Sequence, residues 1–152
     1  LPRSLFVNIA RTFSEQMILA VVRTKEGAAV AAGCGFLYRG EFELTWASSL
    51  REFNREAPNM LLYWRMLVDA VARGCTVFDF GRSSRESGTH RFKKQWGAQE
   101  RPLPWLYQLA PGAGVPQTRV DSPRYRLAVA AWKRLPVPLA TALGTRLVRW
   151  LP

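Results

Sequence analysis

The sequence predicts a mixed α/β (α+β) domain on a mostly antiparallel sheet, with element order β-β-β-α-β-α-β and a basic helical tail. Three observations lead there. Three strand-like runs follow one another between residues 17 and 46 with hairpin-length connections, which favours antiparallel pairing. A long helical pattern then precedes the short run Thr76–Phe80, and a helical crossover makes such a strand parallel to a neighbour. Beyond residue 110 the composition changes: residues 1–118 hold 15 basic and 10 acidic residues, and residues 119–152 hold 7 and 1.

In chain order, Ser4–Glu15 reads as a helix, with Leu5, Phe6, Ile9 and Phe13 at helical spacing. Met17–Arg23 is a first strand and Lys25-Glu26-Gly27 a turn. Ala28–Tyr38 is a second strand, apolar on both faces. Arg39-Gly40 turns the chain into Glu41–Trp46, whose strict alternation marks a half-exposed strand. A loop over Ser48–Glu56 leads to a helix from Pro58 to Arg73, with Met60, Trp64, Leu67, Val68 and Val71 in phase and Gly74 as its stop. Thr76–Phe80 is a short buried strand. Thr89 caps a brief helix His90–Trp96, Gly97 ends it, and Pro102–Leu109 is a final strand. The domain therefore spans 1–110. Residues 111–152 form a linker (Pro111–Pro116) and two amphipathic basic helices, Pro123–Leu135 and Pro138–Trp150.

A length of 152 residues suits one domain with a real core. The net charge of +11 favours polyanionic partners: phosphates on a small molecule, nucleic acid, or an anionic membrane surface. No run of 18 apolar residues exists, which excludes a membrane-spanning helix. Cys34 and Cys75 read as small buried thiols in a reducing compartment, so the chain is expected in the cytoplasm. In the tail, basic residues interleave with leucine, valine and tryptophan over 122–150. That pattern suits a helix lying on an anionic leaflet, peripheral to the inner membrane, and equally a helix packed on the body. The start Leu1-Pro2-Arg3, with neither Met nor a signal-peptide pattern, fits a processed piece or the rear portion of something longer.

The chemistry-bearing residues concentrate between 78 and 107. The loop Gly81–Gly88 carries Arg82, Ser83, Ser84, Arg85 and Ser87 after a strand, where guanidinium groups and hydroxyls can hold a phosphate through charge-assisted bonds. Lys93 and Lys94 point about 100° apart on a helix, so one faces a ligand and the other water. Their aromatic neighbours, Phe92 and Trp96, belong more naturally to the core. Asp79 needs a partner, and two readings stay open: an ion pair with Arg82, or general acid–base work. His90 is the single histidine, which leaves no histidine cluster for a metal; it is a general base or an exposed loop residue. Trp46, Ser48 and Ser49 end the third strand and are expected to wall the same cleft. No Gly-x-Ser-x-Gly elbow, phosphate loop or dinucleotide-binding glycine fingerprint is present.

Four segments in order, Trp46-Ala47-Ser48-Ser49-Leu50-Arg51-Glu52, Asn59-Met60-Leu61-Leu62-Tyr63-Trp64, Phe78-Asp79-Phe80-Gly81-Arg82-Ser83 and Phe92-Lys93-Lys94-Gln95-Trp96-Gly97, resemble the FemAB family. More narrowly, they resemble its exopolysaccharide- and exosortase-associated (PEP-CTERM) subgroup, within the GNAT-like acyl-CoA N-acyltransferase superfamily. The resemblance covers residues 15–110 and implies the second of two tandem GNAT-like domains. It implies transfer of an amino acid or acyl group to an amine of a cell-envelope (peptidoglycan) precursor or polysaccharide unit. It also implies roles: Phe92 as a backbone donor near the oxyanion, Lys93 as a phosphate contact, and Lys94 as a secondary one. The central-helix pyrophosphate signature of ordinary GNAT enzymes is absent; Ser49–Asn54 stands in its place.

The expected function is thus acyl or aminoacyl transfer with no bound cofactor and no metal, the donor being aminoacyl-tRNA or acyl-CoA. Phe92, Lys93 and Asp79 are the catalytic candidates. Trp46, Ser48, Arg82, Ser83, Ser84, His90 and Lys94 are the substrate-binding ones. A phosphate-bearing substrate, tRNA, a missing first domain or a second copy are the expected partners. The competing readings are a non-catalytic GNAT-fold module binding phosphate-bearing ligands, and an acyl-CoA-dependent N-acetyltransferase.

Overall fold

A computed structural model of the chain describes residues 2–104, 106–112, 114 and 123–147. The chain divides into two compact units, Val7–Glu100 and a second made of Leu1–Phe6 with Arg101–Pro152. Helix α1 (Arg3–Thr12) opens the chain. It is followed by β1 (Met17–Arg23), β2 (Ala29–Tyr38), β3 (Glu41–Ser49), a 3-10 turn (Arg51–Glu56), α2 (Pro58–Ala72), β4 (Val77–Asp79) and α3 (Gly88–Gln95). In the second unit, α4 (Pro123–Arg134) and α5 (Val137–Leu147) make a helical hairpin. Gly144 lies so near the Trp132 ring that a Cβ there would sit 3.5 Å from it.

The first unit is one four-stranded sheet in the order β1-β2-β3-β4, antiparallel except for β3 with β4, which run parallel. The β2–β3 hairpin turns on Arg39 (φ 49°) and Gly40 (φ 80°). Two residues of positive φ match the twist of antiparallel strands, and Tyr38 pairs directly with Glu41. Helix α2 starts on Pro58, which has no N–H to orphan, and ends where Gly74 takes φ 81°. Its Leu62, Met66 and Ala70 pack with Ile18, Ala31, Phe42 and Leu44 of the sheet in one buried cluster. Phe42, Leu62 and Met66 are completely buried, each contributing roughly 1.5–3 kcal/mol of transfer free energy.

Glycines at the centre of β2 let the helix approach on one side and β3 crowd in on the other. A Cβ on Gly33 would sit 2.7 Å from the Met66 sulfur, and one on Gly35 would run into the Phe42 ring and the Glu43 carbonyl. Between Cys34 and Gly35 the β2–β3 register slips: Gly35 pairs with Leu44, and Cys34 with Trp46. The bulge at Thr45 rotates everything after it, so Trp46 lands on the opposite face of the sheet from Leu44. There it meets Phe36 edge-on at 6.1 Å, and Phe36 meets Phe13 at 5.8 Å.

The fold class is the expected one, with three corrections of detail. No strand forms among the described residues of Pro102–Leu109. Pro102 and Pro104 lack the N–H groups a ladder needs, and Leu103 and Leu106 are exposed. Strand β4 is therefore the sheet edge and not a buried strand: Val77 and Asp79 are exposed and only Phe78 is half-buried, against Phe42 at 5.0 Å. Helix α3 begins earlier than expected and is capped by Ser87, not Thr89. Of the expected linker Pro111–Pro116 only Pro111, Gly112 and Gly114 are described, and the expected end of the second tail helix at Trp150 lies outside the described residues.

Candidate functional site

Parallel strands joined by a helix bring their carboxyl ends to the same side, so the ends of β3 and β4 and the amino end of α2 meet at one edge of the unit. Strand β4 pairs only with Glu41–Glu43, so from Leu44 onward β3 keeps β2 on one side but has no strand on its β4 side among the described residues. Next to this opening the chain leaves β4 through Gly81 (φ 70°), where a Cβ would stand 3.4 Å from the Leu44 carbonyl.

Asp79 shapes that exit. Its Oδ1 accepts a 2.7 Å bond from the Gly81 N–H, the local turn that aspartate favours, which leaves an exposed carboxylate at the strand's end. Lys93, reaching over from α3, donates to the carbonyls of Gly81 at 2.8 Å and Arg82 at 3.0 Å. Two of its three ammonium protons are therefore spent on the loop backbone. Partial burial lowers the Lys93 pKa below the usual lysine value, while the Asp79 carboxylate acts to raise it. Lysine 94 points elsewhere, pairing with Glu100 at 2.9 Å, so the two lysines diverge as their helical spacing requires.

Histidine 90 is not an exposed loop residue. It sits in the first turn of α3, where Nδ1 accepts from the Glu86 N–H at 3.2 Å and Nε2 lies 2.9 Å from Glu100 Oε1. An accepting Nδ1 puts the proton of the neutral ring on Nε2, aimed at Glu100. Taking a substrate proton would cost one of these bonds. The bonds from Lys94 and then His90 hold the Glu100 carboxyl below its ordinary value of 4.5. This tie between helix and following loop is present above that value and is lost as pH falls through the lowered one.

The loop itself contributes Ser83 and Ser84. Ser84 is exposed, and its carbonyl accepts from the Ser87 N–H at 3.2 Å; Ser83 Oγ is buried without a hydrogen-bond partner. Arg82 is exposed, its carbonyl under Lys93. Ser87 Oγ caps α3 by accepting from the His90 N–H at 3.1 Å. Replacing Ser87 by alanine is expected to cost about 1 kcal/mol, read as a lower midpoint in thermal denaturation.

Phe92 docks α3 onto α2. Its ring meets Tyr63 at 4.9 Å edge-on, and Tyr63 also stacks on Phe80 at 6.0 Å and on Trp96 at 6.3 Å. Phe92 is the fifth residue of α3, so helix geometry commits its N–H to the carbonyl four residues back. The ring, not the amide, is what Phe92 presents. Beside that ring opens a hollow of about 350 Å³, lined by Asn54, Ala57, Pro58, Asn59, Met60, Phe92 and Gln95. It lies at the amino end of α2, where the helix dipole is positive; Pro58 has no N–H there, and the Met60 N–H is bonded to the Ala57 carbonyl at 2.9 Å. Asn59 Oδ1 is buried and unpartnered.

Of the residues singled out from the sequence, only Phe92 lines this hollow. Asp79, Arg82, Ser83 and Lys93 are brought together at the exit of β4, with Ser84 a residue further on. Trp46 and Ser48 do not join them, because the bulge turns both to the far face of the sheet. Asn54, Asn59, Met60 and Gln95 were missed as lining residues; for Asn59 and Met60 the sequence signal was the Pro58-Asn59 helix start, and Asn54 and Gln95 carried none. Among the described residues no group of three His, Cys, Asp or Glu side chains could hold a metal ion, and no helix is long and apolar enough to cross a membrane. Cys34 and Cys75 are both free thiols, Cys34 buried and Cys75 half-buried, and burial pushes the Cys34 thiol up.

Several solved structures with a similar fold are acetyltransferases. Aminoglycoside 6'-N-acetyltransferase AAC(6')-Ih from Acinetobacter baumannii aligns at 15% identity over 72% of this chain and 84% of its own, with a TM-score of 0.56. AAC(6')-IG from Acinetobacter haemolyticus aligns at 13% over 72% and 83%, with a TM-score of 0.58. AAC(6')-Iy, held in complex with a CoA-based bisubstrate analogue, aligns at 12% over 72% and 81%, with a TM-score of 0.60. At such identities the likeness is one of fold. No curated protein matches the chain in sequence. The model of the acetyltransferase (GNAT) domain family matches residues 1–94, the three antiparallel strands, the central helix, the parallel strand and most of α3. With well over half of its length matched by that model, the chain belongs to the GNAT acetyltransferase family and is an acyltransferase.

Proposed function

We propose that this chain is an N-acyltransferase of FemAB type, moving an acyl group from acyl-CoA to an amine of a cell-envelope precursor or polysaccharide unit. The observation that carries the donor half is the hollow at the amino end of α2, with its unpartnered Asn59 Oδ1. The helix end suits the donor's phosphates, and a buried acceptor suits an amide N–H of its pantetheine arm. AAC(6')-Iy binds a CoA conjugate, which supports the same donor class here. The acceptor half rests on the four-segment resemblance to FemAB-like proteins.

In this reading the acceptor nitrogen attacks the thioester carbonyl, the carbon–sulfur bond breaks, and the amine's proton is taken up by a base. Alignment supplies most of the acceleration. Asp79 is assigned as the base, because it is the exposed carboxylate at the end of β4 whereas both His90 ring nitrogens are engaged. Lys93 and Ser83 shape the loop rather than bind the donor. The tail is assigned to an anionic membrane surface, since Leu127, Val137 and Leu139 are exposed within a segment of seven basic residues and one acidic.

Calorimetric titration of the full chain with CoA tests the donor. Binding is expected, weakened about fivefold by Asn59→Ala, the scale of one hydrogen bond. If CoA does not bind but tRNA does, with affinity falling steeply as salt rises, aminoacyl-tRNA is the donor. Failure of both ends this reading.

A further inference from the structure

Helix α2 is apolar on two opposite sides, and the core uses only one of them. Leu62, Met66 and Ala70 face the sheet and are buried. Leu61, Trp64, Val68 and Val71 are exposed, at 57%, 57%, 38% and 62%. At about 100° per residue these four fall within an arc of roughly 80°, centred opposite the core-facing three. Their spacing of three, four and three is the seam spacing of a helix that packs against another helix. A helix apolar all round is normally buried all round. Scattered exposed apolar residues need no explanation, but a contiguous stripe marks a contact surface.

We propose that this outer face of α2 is a self-association surface, at which two copies of the chain pair their α2 helices antiparallel about a two-fold axis at the level of Met66. The stripe itself argues for a second copy. It is palindromic about position 66: a two-fold axis there sets Leu61 against Val71 of the other copy, and Trp64 against Val68. Each larger side chain then meets a smaller one, so the same patch is complementary to itself, as a two-fold interface requires. The alternating large and small layers interdigitate as a packed seam does. The flanking charges, Arg65 and Asp69, already form a 3.0 Å ion pair on the same helix and leave the stripe no net charge with which to draw a polyanion or an anionic membrane. The stripe spans ten residues, about 15 Å of helix. A contact of that length alone falls at the small end of interface sizes, so a weak, concentration-dependent dimer is expected.

Sedimentation velocity of the full chain over a concentration series should show a monomer–dimer equilibrium. Trp64→Glu and, separately, Val71→Glu should abolish it with unchanged thermal midpoints, because both side chains face solvent in the monomer. The register is read by crosslinking in a Cys75→Ser background, which leaves only the buried Cys34. Chains carrying Leu61→Cys mixed with chains carrying Val71→Cys should be joined by a short bismaleimide, and neither alone. A monomer up to about 1 mM, a dimer indifferent to both glutamates, or Leu61→Cys chains crosslinking to themselves would each overturn the proposal.

Discussion

Gly35→Ala is expected to be the most damaging single-methyl change in the molecule, costing about 3 kcal/mol or more and lowering the thermal midpoint by roughly 10–20 °C. The new Cβ would meet the Glu43 carbonyl and the Phe42 ring, and neither can retreat. Glu43 is held on both sides, paired with Phe36 of β2 and with Asp79 of β4. Phe42 is completely buried and wedged against Phe78. Gly33→Ala is the matched control, two residues away on the same strand. Its Cβ meets first the Met66 sulfur, in a flexible side chain that can swing aside. Its cost should be nearer 1 kcal/mol. Thermal denaturation of the two variants decides the matter: if Gly33→Ala proves the worse, the sheet–helix packing described above is wrong.

Those glycines also show how far the sequence reached. Gly33 and Gly35 stand out within an apolar run, but nothing local says that a helix will press on one and a neighbouring ring on the other. The local devices were legible. Arg39-Gly40 read as a two-residue hairpin because its backbone demands are local, and α2 read as a helix because its periodicity, its Pro58 start and its Gly74 stop agree. What failed depended on distant partners. Pro102–Leu109 looks like a strand by its aromatic and branched content, yet its two prolines cannot donate to a ladder. Thr89 looked like a cap because hydroxyl residues cluster there; the choice fell to Ser87, whose oxygen reaches the His90 amide while Thr89 bonds the Ser87 hydroxyl at 2.9 Å.

The site was half legible for the same reason. The segment from Asp79 to Lys93 was recognisable by composition, and the structure does join Asp79, Gly81, Arg82 and Lys93 at one strand exit. Composition could not show that Lys93 would spend itself on carbonyls, since a lysine near a glycine loop looks the same whether it binds phosphate or backbone. Trp46 and Ser48 were misplaced because alternation assumes an unbroken ladder, and one extra residue at Thr45 reverses every side chain after it. The hollow at α2 escaped notice because its lining is neutral. The field of the α2 dipole at that end leaves no mark in a count of lysines and arginines.

Asp79→Asn should reduce kcat about 100-fold while leaving the fold intact, and that combination separates the two readings of Asp79. The asparagine side chain keeps a carbonyl oxygen where Oδ1 accepts from the Gly81 N–H, so the exit of β4 and the two Lys93 bonds persist. It removes the basic oxygen a substrate ammonium would need. Asp79→Ala removes the turn acceptor as well and should lose both activity and thermal stability. If Asp79→Asn keeps full kcat while Asp79→Ala is unstable, the carboxylate is an anchor for the strand end, and the proton leaves the amine by another route, through His90 Nδ1 at the expense of its bond from the Glu86 N–H or directly to water.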